Sequence, residues 1–157
     1  MLEGGCGCGA LTYRMTSEPM FVHCCHCREC QKQTGSAYVM NAFIEADQIE
    51  YEGSTTEHLL PTPSGKGQII TRCGECGVAV FSNYLIRGGA LRWVRVGTLN
   101  DPSRCPPQAQ IFVKSKQPWV PLNPEIPSFD EFYQFESDWP EKSYLRLKKA
   151  FEKLANK

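Results

Sequence analysis

The sequence has no excess of charge of either sign, because 17 lysines and arginines are balanced by 17 aspartates and glutamates. A chain without net positive charge gives no electrostatic reason to expect nucleic acid or an anionic membrane as its partner. It also lacks an apolar run of membrane-spanning length, and the opening MLEGGCGCG has no basic region followed by an apolar segment. These absences predict a soluble cytoplasmic protein with neither signal peptide nor anchor, and with no nucleic acid or membrane partner.

The rest of the sequence is typical of one mainly β domain. No repeat or low-complexity tract interrupts it, and 157 residues with 41% hydrophobic content can bury a core. The segment RECQKQTG predicts a short helix that ends at Gly35, since glycine readily adopts the left-handed conformation of a helix C-terminus. Alternating or β-branched runs predict strands. They are residues 10–14, 21–25, 37–43, 49–51, 68–71, 78–82, 91–96 and 111–114.

The C-terminal segment differs because its apolar residues recur with helical spacing. PEKSYLRLKKAFEKLANK predicts an amphipathic helix that begins near Pro140. Such a helix packs on the body of the protein or on a partner subunit, and the second arrangement would make a homo-oligomer. We therefore divide the chain into a β domain, residues 1–135, and a helical tail, residues 136–157. The apolar positions of the tail are Tyr144, Leu145, Leu147, Phe151 and Leu154.

Cysteine is unusually abundant for a chain of this length. Eight of the nine cysteines fall in three groups, CGC, CCHCREC and CGEC. A disulfide-bonded secreted domain spreads its cysteines along the chain, whereas clustered thiols in a reducing compartment are typical of metal ligands or redox centres. Because thiolates are soft ligands that favour zinc or iron–sulfur clusters, the groups predict metal binding.

Spacing alone permits two ways of pairing these groups. CREC and CGEC could form one closed ribbon of four cysteines, or CGC and CGEC could close one site and leave CCHCREC to hold a second metal. Every cysteine of CGC and CGEC is followed by glycine, which lets the backbone turn and point N–H groups at a thiolate sulfur. The matched glycines favour the second pairing. The ligands of this buried, closed structural site would be Cys6, Cys8, Cys73 and Cys76.

The central group can supply three thiolates by itself. Three protein ligands leave one tetrahedral position for water or substrate, which distinguishes a catalytic zinc site from a structural one. Cys30 would lie at the start of the predicted helix, where backbone N–H groups stabilise a thiolate. His23, Cys24 or His26 could instead close the site, although strand alternation places Cys24 on the opposite face. The three ligands would be Cys25, Cys27 and Cys30.

Five blocks carry a family resemblance. They are GGCGCGALTYR, CHCRECQKQTGSAY, TRCGECGVAVF, VRVGTLNDP and IFVKSKQPW. In content and order they resemble the glutathione-dependent formaldehyde-activating enzyme family, which also includes centromere protein V. The resemblance runs from about Gly4 to Phe132, so it covers nearly all of the chain outside the helical tail.

The resemblance implies a β-tent zinc-binding fold with two zinc ions per chain. By motif, the cysteines of G-C-x-C-G and of the later C-x-x-C-G would hold the structural zinc, and those of C-H-C-x-x-C the catalytic zinc. It further implies that glutathione and formaldehyde are joined to S-hydroxymethylglutathione, the reverse of a carbon–sulfur lyase reaction. The sequence departs from the family pattern at Gln110, where many members carry a histidine.

Two functions of different classes follow. The first is a zinc-dependent carbon–sulfur lyase that acts on adducts of a small thiol, with glutathione as the type substrate. The alternative is a non-catalytic zinc-binding module that uses the same fold to contact a protein. A dithiol oxidoreductase based on CREC would require the cluster to be free of metal.

Overall fold

The computed structural model describes residues 1–62, 65–85 and 88–156, and in this part of the chain the protein is mainly β. Three strands form a small antiparallel sheet in the order β1-β2-β5, and the others form a large sheet in the order β11-β10-β3-β4-β9-β8-β7-β6. Strand β10 runs parallel to both of its neighbours, β3 and β11. The strands are β1 (Leu2–Gly5), β2 (Thr12–Met15), β3 (Phe21–Cys25), β4 (Val39–Glu45), β5 (Ile49–Glu52), β6 (Thr55–Leu60), β7 (Gln68–Cys73), β8 (Ala79–Tyr84), β9 (Leu91–Arg95), β10 (Ala109–Ile111) and β11 (Ser128–Phe129).

Short helices and one longer C-terminal helix accompany the sheets. They are α1 (Arg28–Thr34), α2 (Phe135–Asp138) and α3 (Glu141–Ala155). Helix α1 ends as expected, because Gly35 has φ 64° and its N–H donates to the carbonyl of Gln31. Helix α3 follows Pro140, which confirms the predicted start. Within the described ranges, no helix combines the length and the apolar character that crossing a bilayer requires.

The large sheet separates two apolar cores. Successive side chains of β4 point to opposite faces of the sheet, and those of Ala42 and Ile44 lie in a first core, which the small sheet covers. Val39 and Phe43 point the other way, into a second core that the C-terminal segment covers. Three cysteines, Cys25, Cys27 and Cys30, contribute to the second core or pack against it.

The tail helix packs on the body of its own chain. Leu147 is 2% exposed and lies in the second core, with Tyr144 and Phe151 packed against that core. Leu145 and Leu154 are 48% and 37% exposed, so the buried stripe is narrower than the apolar spacing indicated. The helix therefore closes one side of the second core.

Some strand predictions were wrong or missing. The predicted strand over residues 111–114 ends at Ile111, because Phe112 has φ 55° and the chain turns into a 3-10 helix over Val113–Ser115. Strand β6 had no alternation to reveal it, since four of its six side chains are exposed. Strand β1 contains two glycines and has no β-branched residue.

Candidate metal centres

The first candidate centre joins the loop after β1 to the turn between β7 and β8. The sulfur atoms of Cys6, Cys8, Cys73 and Cys76 all lie within 4.8 Å of one another. Two of these separations are 3.5 Å, from Cys6 to Cys8, and 3.9 Å, from Cys8 to Cys73. Sulfurs about 2.3 Å from one tetrahedral ion would be roughly 3.8 Å apart. The spacing of these sulfurs therefore fits a zinc ion. The fold brings CGC and CGEC together, and it does not form the alternative pairing of CREC with CGEC.

Backbone N–H groups surround these four sulfurs. Gly9 and Gly77, which follow the second cysteine of each pair, have φ 79° and 73°. The next N–H groups, those of Ala10 and Val78, donate to Cys8 and Cys76. Gly7 and Gly74 do not adopt positive φ. The expected backbone turn after a cysteine therefore occurs at only one of the two glycines in each motif, CGCG and CGECG. The other N–H donors are Leu11 to Cys6, at 3.2 Å, and Glu75 to Cys73, at 3.4 Å.

This four-thiol group lies nearer the surface than a buried structural site would. Cys73 is buried, but Cys8 and Cys76 are exposed. Desolvation raises the pKa of the Cys6 thiol, but hydrogen bonds from the Leu11 N–H and from neighbouring thiols outweigh it and lower that pKa to about 6. The surroundings of Cys6 thus already favour its thiolate, which is the form that binds a metal ion.

The second candidate centre is formed where β3 passes into α1. The sulfurs of Cys25, Cys27 and Cys30 also lie within 4.8 Å of one another. Cys25 is the last residue of β3, Cys27 caps the N-terminus of α1, and Cys30 belongs to the first turn of the helix. The N–H of Cys30 donates to the sulfur of Cys27 at 3.4 Å. The helix start therefore stabilises Cys27, and not Cys30 as the sequence suggested.

The three thiols share negative charge unequally. Hydrogen bonds from the Cys25 and Cys30 thiols lower the pKa of Cys27 to about 2. The contacts of Cys25 with Cys27 and Cys30, together with burial, raise the pKa of Cys25. Without an ion the cluster therefore holds its first thiolate at Cys27. A divalent ion that is coordinated by all three sulfurs would displace the remaining protons.

The residues that could have closed this site have other partners. The sulfur of Cys24 lies 3.5 Å from Nε2 of His26, and both residues are buried. His23 uses both ring nitrogens, with Nδ1 2.9 Å from the Tyr133 hydroxyl and Nε2 3.2 Å from Asn41. Within the described ranges, no fourth histidine, cysteine or carboxylate donor joins the three sulfurs.

A buried polar row lies beside the three-thiol group. His23, Asn41 and Arg95 are directly opposed on the adjacent strands β3, β4 and β9. Arg95 can only donate, so the Asn41 oxygen accepts from it, and the Asn41 amide donates to Nε2 of His23. Nδ1 of His23 is then the protonated nitrogen and donates to Tyr133. Burial lowers the pKa of His23 to about 3, with the charge of Arg95 adding to the effect, so the ring is neutral at neutral pH.

The sequence indicates this row by polar residues at inward-facing strand positions, a pattern that the prediction from cysteine spacing did not use. Along β4 and β9, the residues that face the second core alternate as Val39, Asn41, Phe43 and as Leu91, Trp93, Arg95. A polar residue at an inward position of an otherwise apolar alternation must find a buried partner. Each strand carries one such residue, and β4 and β9 are neighbours.

Aromatic side chains border the same region. Tyr84 stacks on Trp93 with ring centroids 4.3 Å apart, and Trp93 lies parallel to Phe132 at 6.4 Å. Gln110 takes no part in this site. Its amide nitrogen donates to the Asn123 carbonyl and its amide oxygen accepts from the Asn123 N–H, so it fixes the chain beside β10.

Comparison with known proteins identifies a family. Residues 1–115 match the family model described as glutathione-dependent formaldehyde-activating enzyme. None of the curated proteins compared with the chain matches it. Among solved structures, the crystal structure of a protein from Rhodobacter sphaeroides is 16% identical, with 80% of this chain and 98% of that chain covered and a TM-score of 0.48.

Proposed function

Because the chain belongs to the glutathione-dependent formaldehyde-activating enzyme family, we propose that it is a zinc-dependent carbon–sulfur lyase of small thiol adducts. Its type reaction would join glutathione and formaldehyde to S-hydroxymethylglutathione, in the cytoplasm. One observation supports an open catalytic site more than any other. Three sulfurs meet without a fourth donor in the described part of the chain, whereas four meet at the other centre.

In this proposal the two cysteine groups have different roles. Cys6, Cys8, Cys73 and Cys76 hold a structural zinc ion that joins β1 to the turn after β7. Cys25, Cys27 and Cys30 hold the catalytic one. When bound there, zinc supplies a holder for the substrate thiol as thiolate and a modest polarisation of the aldehyde carbonyl.

The reaction itself is an addition that needs neither an oxidant nor a leaving group. A bond forms between the thiol sulfur and the carbonyl carbon, the carbonyl π bond breaks, and the proton lost by the thiol finishes on oxygen. The protein contributes the position of the sulfur. Buried Cys25 fixes the inner side of the cluster, while Cys27 and Cys30 are only partly buried and leave an outer side for substrate.

Cobalt substitution provides the test, because thiolate-to-cobalt absorption bands respond to each added sulfur. We expect glutathione to change the spectrum of the cobalt-loaded protein, and S-methylglutathione, which has no free thiol, to leave it unchanged. Cobalt in the four-thiol group contributes a constant absorption background, since cysteines fill all four of its coordination positions. An unchanged spectrum with glutathione at cytosolic concentrations would contradict the lyase function and favour a protein-binding module.

A further inference from the structure

Arg95 is a buried cation for which the described part of the chain offers no acidic partner. The residue is 5% exposed, and within the described ranges it forms no ion pair with a carboxylate. Its guanidinium donates to two neutral amide oxygens, those of Asn41 and of Gln33, the latter at 3.0 Å. No hydrogen-bond acceptor among the described residues meets its Nε. Because a buried charge without a counter-charge is costly, a negative charge is expected nearby.

Two hydrogen-bond partners of Arg95 connect it to the segments that carry the three thiols. Gln33 belongs to α1, one turn after Cys30. Asn41 bonds to His23, two residues before Cys25 on the same face of β3. Burial lowers the pKa of Arg95, and the charges of Cys30 and then of Cys25 act in the opposite direction, which is the effect of anions close to the guanidinium.

The net charge of the metal centre and its surroundings indicates a role for Arg95. A divalent ion with three thiolates carries a net charge of −1, and the guanidinium brings the region to zero. A thiolate in the fourth position would make the metal centre −2, which a partly buried site resists unless a cation offsets it. We propose that Arg95 is the fixed counter-charge of the three-cysteine centre and selects an anionic thiolate over a neutral ligand for the fourth position. The inference rests on the proposed function, and it adds the residue that determines ligand charge.

Gln33 allows the charge of Arg95 to be offset without removing the arginine. Gln33→Glu places a carboxylate on the atom that accepts from the guanidinium, at a partly exposed position where a charged residue can be accommodated. Gln33→Met removes the same hydrogen bond but adds no charge. Arg95→Lys keeps the positive charge with different geometry. Arg92→Gln is the matched control. Arg92 lies on the same strand, and its buried Nε also meets no acceptor among the described residues, but its guanidinium contacts the Phe81 ring.

The experiment measures affinities of the cobalt-loaded variants for 2-mercaptoethanol, which binds as thiolate, and for imidazole, which is neutral. We expect Gln33→Glu to weaken 2-mercaptoethanol binding roughly tenfold to a hundredfold and imidazole binding by less than about threefold. Gln33→Met, Arg95→Lys and Arg92→Gln should keep the preference for thiolate. Circular dichroism verifies that each variant is folded.

The outcomes separate this inference from the proposed function. Equal weakening of both ligands by Gln33→Glu, or loss of the thiolate preference in Arg95→Lys, would overturn the role of the charge. If 2-mercaptoethanol binds with the expected charge dependence but glutathione does not bind, the inference stands and the proposed substrate is wrong. If neither 2-mercaptoethanol nor imidazole changes the spectrum of the unsubstituted protein, the fourth position is not open and the inference fails.

Discussion

Replacing Cys73 with serine is expected to lower the melting temperature of the zinc-loaded protein by roughly 6–12 °C or more. Cys73 is a buried member of the four-thiol group and of the first core. Binding energy at a structural zinc site is folding energy, so loss of one ligand should cost at least about 3 kcal/mol. In a chain of this size each kcal/mol shifts the melting temperature by roughly 2–4 °C. Calorimetry with metal analysis measures both effects.

Cys105 provides the matched control for that substitution. It is buried in the same core as Cys73, but it does not belong to the four-thiol group. Cys105→Ser should therefore cost only about 1–2 kcal/mol, the effect of a hydroxyl in an apolar environment, and should retain both metal ions. Equal destabilisation by Cys73→Ser and Cys105→Ser, with two zinc ions kept in each, would show that the four-thiol group is not a metal site.

Replacing Cys27 with serine should remove one of the two metal ions but, unlike Cys73→Ser, should change the melting temperature only slightly. Serine is a preferred helix N-cap, so it can replace the Cys27 sulfur as the acceptor of the Cys30 N–H. The substitution removes the thiolate that accepts hydrogen bonds from the Cys25 and Cys30 thiols. We expect metal analysis to show one ion per chain, and glutathione to leave the cobalt spectrum unchanged.

Cys24→Ala is the control for this second substitution. Cys24 is a close sequence neighbour and is buried, but its sulfur contacts His26 and does not belong to the three-thiol group. The variant should keep two ions and the spectral response to glutathione. If Cys27→Ser is instead more destabilising than Cys73→Ser, the structural and catalytic assignments are reversed.

The grouping of the cysteines could be predicted from local sequence features, although Cys8 and Cys73 lie 65 positions apart. Ligand spacing and the glycines after Cys8 and Cys76 are sequence properties, and the fold uses both. The short helix and its end at Gly35 are equally local. These features need no knowledge of which strands are neighbours.

The position of Arg95 could not be predicted in the same way. Arg95 is 65 positions from Cys30, and only the order β3-β4-β9 places it beside the cluster. The exposure of the four-thiol group likewise depends on how the sheets meet. Strand β6 escaped prediction because its pairing with β7, rather than burial of its side chains, makes it a strand.

The catalytic claim is tested most directly by carbon exchange between ¹³C-formaldehyde and S-hydroxymethylglutathione, measured by magnetisation-transfer NMR. If the three-cysteine centre is catalytic, the exchange rate will rise in proportion to the concentration of zinc-loaded protein and will stay at the protein-free rate with Cys27→Ser. An exchange rate that remains at the protein-free value with fully zinc-loaded, folded protein would contradict the lyase function.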